Sequence, residues 1–250
     1  MWSSLALALR LLTVMPAYSY GTSDKPDARR AVVLFPAVGL LIGSLVSLVY
    51  FVGTRLWTDR QSLVVPALCT LAGLVITGAR GVSGVARTAD SLAALSGVDR
   101  IRAVALMRDP HRGAAGVAAG AAAVVLRFAL YASLPPTHAL QAIMVSTACG
   151  QWTGAICLTA FPIIHGWNNE EEGRSLASSG PNEFLLVTAL AVVCAAVWPV
   201  HGMIALVAAA IVAVPIAQRV NQVFGGGAVP VVYAVSELGE AAALLYFTIP

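Results

Sequence analysis

The sequence predicts an all-α fold, a polytopic transmembrane helical bundle, and composition is the first reason. Of 250 residues, 58% are hydrophobic and only 11% are charged, whereas an ordinary soluble domain has roughly 25% charged residues. The mean hydropathy is +0.82, and a soluble fold could not bury that much apolar surface. The long apolar runs do not alternate, so in lipid they satisfy their backbone hydrogen bonds only as helices. No polar linker divides the chain, which predicts a single integral membrane domain over residues 1–250.

The N-terminal segment is the first predicted element. Trp2 to Met15 is apolar over about a dozen residues, but it has no basic start and no small-residue cleavage site, so it does not have the pattern of a signal peptide. It is too short to cross a bilayer, since a span needs ~20 residues. We therefore expect a short interfacial or re-entrant helix.

About seven apolar runs follow that are long enough, or nearly long enough, to cross a bilayer. Small residues recur within them at helical spacing, as at Gly39 and Gly43 and at Gly113, Gly116 and Gly120, which predicts close approach of neighbouring helices. The predicted spans are Ala31 to Leu56, Leu63 to Gly78, Gly113 to Leu134, Ala139 to Ile164, Phe184 to Val200, Met203 to Ala217 and Ala228 to Thr248.

The basic residues predict the orientation of the bundle. Seven crossings place three loops on one side: Ala79 to Arg112, His165 to Glu183 and Gln218 to Gly227. With the N-terminal segment, that side holds 12 of the 15 Lys and Arg residues. The positive-inside rule therefore predicts a multi-pass protein of the inner (cytoplasmic) membrane with these loops in the cytoplasm. The bases are scattered among acids, and the net charge is only +3, so no nucleic-acid binding is expected.

The longest of these loops, residues 79–112, carries the polar motifs. The stretches Thr77 to Asp90 and Met107 to Gly116 resemble the cytoplasmic loop of the cobalamin synthase family, the adenosylcobinamide-GDP ribazoletransferases. Further similarity lies in Leu12 to Pro16, in the first span from Arg30 to Gly43, and in Phe224-Gly-Gly with Ser236-Glu-Leu. The resemblance covers nearly the whole chain.

The resemblance implies a transferase of late cobalamin biosynthesis. Such an enzyme joins α-ribazole or its 5′-phosphate to adenosylcobinamide-GDP and releases GMP. The family depends on Mg²⁺, and a hard cation held by carboxylates offsets the charge that develops on the leaving group. The implied partners are the corrinoid-GDP and α-ribazole substrates and the lipid bilayer, while the sequence leaves homo-oligomerisation open.

Several polar positions of the family pattern are replaced. Where the loop pattern reads Gly-x-His-x-Asp-Gly-x-Ala-Asp-x-x-Asp-Gly, this chain has Gly81 for the His, Ser83 and Arg87 for the first two Asp, and Ser91 for the last Gly. Elsewhere, Ala228-Val-Pro replaces Thr-Gly-Asp, Gln151 replaces an Arg of the span that begins at Ala139, and Glu170 replaces an Arg. The loop keeps one of the pattern's three acids, so we expect weak activity or none.

The remaining polar residues supply the candidate site. Asp90 and Asp109 are the candidate catalytic and Mg²⁺-holding residues, with ion pairing to nearby Arg as the alternative. Arg108 and Arg112 are candidates for binding a diphosphate, since a guanidinium can bind phosphate through two hydrogen bonds; positive-inside anchors are their alternative.

Two glutamates complete the candidate substrate-binding set. Glu172 lies in the Glu-Glu-Gly motif that the resemblance implies, although an acidic run in a loop is most often only solvated. Glu237 lies in the last apolar run, three residues from Glu240, where a carboxylate must meet water, a cation or an Arg. Arg127 also lies inside a span, and we expect it to form a packing ion pair.

Three interpretations remain open. The first is a Mg²⁺-dependent cobalamin synthase with weak activity. The second is a non-catalytic membrane paralogue that binds a corrinoid or a protein partner. The third is a CDP-alcohol phosphotransferase-like enzyme, because Ser83 to Arg87 faintly resembles that family's Asp-Gly-x-x-Ala-Arg, with the spacing one residue short.

Overall fold

The structure is a computed structural model, and it describes residues 2–15, 28–57, 62–95, 99–161, 181–226 and 228–249. These residues form eleven α-helices and no strand, so the predicted all-α class is confirmed. In chain order the helices are α1 (Trp2–Leu12), α2 (Ala28–Val33), α3 (Phe35–Leu56), α4 (Val64–Thr77), α5 (Arg80–Ala94), α6 (Arg100–Leu106), α7 (Ala114–Ser133), α8 (Ala139–Ala160), α9 (Pro181–Ala195), α10 (Pro199–Phe224) and α11 (Val229–Thr248).

The count of seven spans is not confirmed. Within the described residues, four helices are long and apolar enough to cross a membrane (α3, α7, α10 and α11), and a fifth span results if the bent pair α4 and α5 is taken as one. The central helix α8 has 22 residues, of which 17 are buried. Neighbouring helices cover α8, so it can carry polar side chains that a lipid-facing helix of the same length could not.

Two predicted loops are largely helical, which corrects the sequence interpretation. The segment 79–112 contains α5 and α6, and α5 packs against α11 and α7 as part of the bundle. The sequence of α5 mixes Arg, Ser, Thr and Asp with small residues and therefore has low hydropathy, although Thr88 and Ser91 are buried and its other polar side chains are half-buried. The predicted loop from Gln218 to Gly227 is mostly the last part of α10, which continues to Phe224.

The centre of the bundle is the packing of α8 against α3 and α11. Glycines make this close approach possible: a Cβ built on Gly43 would lie 2.8 Å from the Cα of Met144, and one on Gly150 would lie 2.6 Å from the carbonyl oxygen of Ser236. The predicted packing role of Gly39 and Gly43 is confirmed, since a Cβ on Gly39 would also meet the α8 backbone. Helices in lipid associate through such van der Waals contact.

The N-terminal helix α1 lies against this bundle as a short element. At 11 residues it is about 16 Å long, too short to span, in agreement with the prediction. Leu7, Ala8 and Leu11 are buried against the bundle, whereas Trp2 is exposed. The Val14 N–H donates to the Ile76 carbonyl of α4 at 3.0 Å, so the segment that follows α1 is held at the end of α4.

Candidate functional site

The break between α4 and α5 positions the most polar part of the interior. Gly78 and Ala79 both adopt left-handed backbone conformations, with φ of 62° and 53°, and the two helix axes differ in direction by 80°. Gly78 adopts this conformation without strain, whereas Ala79 does so at a cost of ~1 kcal/mol. The break turns the start of α5 toward α11, where Gly81 contacts the Glu237 carboxylate.

A buried cluster of three charges lies beside this break, and we call it the charge cluster: Arg127 of α7 with Glu237 and Glu240 of α11. The Nη2 of Arg127 donates to Oε2 of Glu237 at 2.8 Å and to Oε2 of Glu240 at 3.1 Å. All three residues are at most 7% exposed. Glu237 lies eight residues into α11, about 12 Å from its start, so the cluster is well inside the bundle.

The ion pairs of the charge cluster confirm the sequence-based expectations for Glu237 and Arg127. Glu237 was expected to meet a polar partner and not lipid, and that partner is Arg127. Arg127 was expected to form a packing ion pair, and it bridges both glutamates. Sequence reasoning did not connect the three, because α7 and α11 are far apart in the chain. The available signal was the presence of three charges in two apolar helices, each of which needs a partner.

A small polar cavity adjoins the charge cluster. It is lined by Thr77, Gly81, Gln151, Ser236 and both glutamates, among others, and its volume is ~20 Å³, room for about one water molecule. A nucleotide does not fit there. The assignment of Glu237 to substrate binding therefore stays a prediction that would require the bundle to open.

Asp90 lies near the end of α5 and accepts hydrogen bonds from the backbone at the start of α7. Its Oδ2 accepts a hydrogen bond from the Gly113 N–H at 2.9 Å, and its Oδ1 accepts one from the Gly116 N–H at 2.6 Å. These N–H groups lie at the start of α7, where a helix has no internal acceptors for them. Asp90 thus acts as a capping residue supplied by a different helix, and a carboxylate there is also favoured by the helix dipole.

Asp109 lies after α6 in a more exposed position. Its Oδ1 accepts from the backbone N–H of His111 at 2.8 Å and lies 3.0 Å from the His111 Nδ1. These two hydrogen bonds from His111, aided by the nearby charge of Arg112, lower the pKa of the Asp109 carboxyl below its ordinary value. The side chain is therefore ionised and available as an acceptor for a cation or a donor group.

The arginines of this region differ in how they are held. Arg87 donates to the Met107 carbonyl oxygen at 3.4 Å, which ties α5 to the end of α6. Arg100 donates through Nε to the Phe224 carbonyl at the end of α10, at 2.7 Å. Arg108 is exposed, and the Nη1 of Arg112 is buried without a hydrogen-bond acceptor among the described residues. Arg112 therefore has an N–H group that a bound anion could use.

Two acids do not by themselves make a magnesium site. In the described part of the chain, no group of three or more His, Cys, Asp and Glu residues could hold a metal ion, whereas Mg²⁺ prefers six oxygen ligands in a near-octahedral arrangement. Both oxygens of Asp90 already accept backbone N–H groups. Glu172 lies outside the described residues. The metal role of Asp90 and Asp109 therefore stays a prediction.

The fold and site define a class of protein, an integral membrane protein in which a buried cluster of one arginine and two glutamates lies beside a broken helix pair. The chain belongs to the cobalamin synthase family, since the family model described as "Cobalamin-5-phosphate synthase" matches residues 4–248.

Several curated relatives carry the name adenosylcobinamide-GDP ribazoletransferase. The protein from Desulforamulus reducens is 29% identical over 79% of this chain and 76% of its own length. The one from Acinetobacter baumannii is 26% identical over 97% and 96%, and the one from Thiobacillus denitrificans is 35% identical over 60% and 61%. No solved structure matches the chain significantly.

Proposed function

We propose that this protein is a membrane-bound transferase that joins α-ribazole or its 5′-phosphate to adenosylcobinamide-GDP and releases GMP. The observation that carries the proposal is the match to the cobalamin synthase family over residues 4–248. Relatives with that activity in their names align with as much as 97% of the chain. The CDP-alcohol phosphotransferase alternative rests on five residues and is outweighed by this match.

The reaction requires recognition of a diphosphate and control of its charge. An acceptor oxygen attacks the phosphorus joined to cobinamide, the bond from that phosphorus to the GMP oxygen breaks, and the acceptor's proton leaves with GMP or solvent. Arg108 and Arg112 are the proposed diphosphate ligands, because Arg108 is exposed and Arg112 has a buried N–H without an acceptor in the described structure. Guanidinium groups bind such oxygens through strong charge-assisted hydrogen bonds.

Asp90 supports this site because it fixes the position of the start of α7. It binds the N–H groups of Gly113 and Gly116 and thereby holds the start of α7 directly after Arg112. Asp109 is the proposed acidic group at the site, and Mg²⁺ is the proposed ion, whose chemistry would be neutralisation of diphosphate charge. Glu172 and Glu237 are the remaining proposed substrate contacts. We also propose that the protein lies in the inner membrane with residues 79–112 on its cytoplasmic side, because most of the Lys and Arg residues are predicted on that side.

The direct test is turnover by the purified protein in lipid nanodiscs. The protein is incubated with adenosylcobinamide-GDP, Mg²⁺ and α-ribazole or its 5′-phosphate, and GMP and the corrinoid product are separated by chromatography. We expect GMP and the corrinoid product in equal amounts, with loss of both in EDTA. Arg112→Ala should lower kcat/KM by about 10²-fold, and Arg102→Ala, on the exposed face of α6, is the matched control.

A non-catalytic member of the family is the second candidate, favoured by the incomplete acid set. It would bind adenosylcobinamide-GDP without releasing GMP, and Arg112→Ala would weaken that binding. Restoration of acids at Ser83 and Arg87 would then be expected to produce Mg²⁺-dependent turnover. A His at position 81 should be left out of such a variant, because its Cβ would collide with the Glu237 carboxylate.

A further inference from the structure

The charge cluster and its cavity carry an inference that is independent of the transferase activity. Arg127 supplies one positive charge against the two negative charges of Glu237 and Glu240. Burial of an unmatched charge costs several kcal/mol, so the interior needs one further positive charge.

Among the described residues, no basic group besides Arg127 forms an ion pair with either glutamate. Arg80 also lines the cavity, but its guanidinium donates to the carbonyl oxygens of Arg10 and Leu11 at the end of α1, and no ion pair joins it to either glutamate in the described structure. The two helix ends at the break offset each other: the end of α4 carries about half a negative charge and the start of α5 about half a positive charge.

Two hydroxyl groups and one amide oxygen of the cavity lining can act as acceptors. The Thr77 hydroxyl donates to the Gly73 carbonyl at 2.7 Å, and the Ser236 hydroxyl donates to the Val232 carbonyl at 3.0 Å. Both hydroxyl oxygens therefore keep lone pairs. Gln151 is 8% exposed, and its buried Oε1 accepts no hydrogen bond from the described residues. Three kinds of oxygen thus line one cavity beside an excess negative charge.

We propose that this cavity binds one dehydrated alkali-metal cation, sodium or potassium, through oxygens of Gln151, Ser236, Thr77 and Glu237. One positive charge balances the cluster, and oxygen atoms are the ligands that hard cations prefer. The volume of ~20 Å³ accommodates an ion about the size of one water molecule but not a hydrated Mg²⁺, which usually keeps several waters. Broken helices inside membrane bundles provide such sites in other folds.

The test uses the full protein in nanodiscs without substrate. Thermal unfolding is followed in NaCl, KCl and choline chloride at constant ionic strength. One alkali chloride should raise the unfolding midpoint saturably by about 3 °C relative to choline. Equilibrium binding of radioactive Na⁺, or Rb⁺ in place of K⁺, should reach about one ion per chain. Equal midpoints in all three salts, or no saturable ion binding, would overturn the proposal and assign the balancing charge to a proton or to Arg80.

Variants locate the site. Gln151→Leu should weaken ion binding by about tenfold or more, the loss of ~1.4 kcal/mol, while Gln141→Leu, on the exposed face of the same helix, should bind as the parent does. Ser236→Ala is a milder second variant, with Ser146→Ala as the control because Ser146 is buried in α8 and does not line the cavity. Unchanged ion binding in both Gln151→Leu and Ser236→Ala would exclude this cavity as the site. Because no substrate is present, failure of this test leaves the transferase proposal unaffected.

Discussion

The charge cluster and the segment from Arg87 to Arg112 contain the same residue types but use them differently. In the cluster, Arg127 forms ion pairs with two glutamates at distances of 2.8 and 3.1 Å, away from solvent. In the segment, Asp90 binds backbone N–H groups of α7 and Asp109 binds His111. In the segment, the two acids therefore bind backbone N–H groups and a histidine, whereas in the cluster the acids bind an arginine.

The difference shows which region suits chemistry on a charged substrate. The charge cluster is buried and can stabilise the bundle or hold a small ion, but its cavity of ~20 Å³ offers no room for a nucleotide. The exposed position of Arg108 and the buried N–H of Arg112 that has no acceptor in the described structure suit both side chains to contact a diphosphate. This difference in role can be tested with variants whose effects on protein stability and on substrate binding are measured separately.

The largest expected effect is that of removing the cation of the cluster. Arg127→Leu leaves two buried carboxylates without their partner and should destabilise the protein by about 3–5 kcal/mol. The triple variant Arg127→Leu, Glu237→Gln, Glu240→Gln should recover most of that loss, because no buried charge then lacks a partner. Denaturant or thermal unfolding in nanodiscs measures both. If Arg127→Leu were as stable as the parent, the ion pairs of the charge cluster would not contribute to the stability of the protein.

A smaller effect is expected at the contact of α5 with α7. A Cβ on Gly116 would lie 2.6 Å from the Cγ of Asp90 and 2.7 Å from the Ala86 carbonyl oxygen, so Gly116→Ala should cost about 1–3 kcal/mol. Gly120→Ala is the matched control on the same helix, since its Cβ would meet Ala86 and Val82 at an ordinary 3.5 Å. That substitution should be neutral or stabilise by up to about 1 kcal/mol. Equal effects of the two substitutions would contradict the described packing.

Asp90 should show a moderate stability effect. Asp90→Ala removes the acceptor for two N–H groups of α7 and should cost about 1–2 kcal/mol, measured by the same unfolding assay. Asp90→Asn keeps one carbonyl oxygen and should cost less than Asp90→Ala. If Asp90 only positions α7, Asp90→Asn retains most of the turnover. Complete loss of turnover with near-normal stability would instead place Asp90 in contact with substrate or ion.

The smallest effect concerns the pKa of Asp109, which hydrogen bonds from His111 lower below the ordinary value of 3.8. A carboxyl whose folded-state pKa is lowered contributes stability above its unfolded pKa, and that contribution is lost as the pH falls through the lower folded value. His111→Ala removes the imidazole but keeps the backbone N–H of residue 111, so it should raise the Asp109 pKa only part of the way toward 3.8, as measured by NMR titration of the carboxyl carbon. No change in that titration would exclude the His111 side chain as a cause of the lowered pKa and leave the backbone N–H.

Much of the fold was predictable because its physical basis is local. Apolar runs of about 20 residues predict helices wherever lipid is the solvent. The ends of α7 and α11 lie within one residue of the predicted ends, and α3 begins four residues after its predicted start and ends at the predicted residue. The segment 79–112 was predicted less well, because the mixed polar composition of α5 indicates a loop when its neighbours are unknown. Contact with α7 and α11 covers its polar side chains and makes it part of the bundle.

The candidate site, like the fold, was partly predictable from the sequence and partly decided by the tertiary structure. The sequence by itself determined the membrane class, the resemblance to the family, and the need of Arg127, Glu237 and Glu240 for partners, since a charge in an apolar helix is costly wherever the helix packs. Only the tertiary structure decided that these three residues pair with one another, that Asp90 caps α7, and that Gln151 faces the same cavity as Glu237. Those contacts join residues 23 to 113 positions apart, and no local pattern specifies a distance across the bundle.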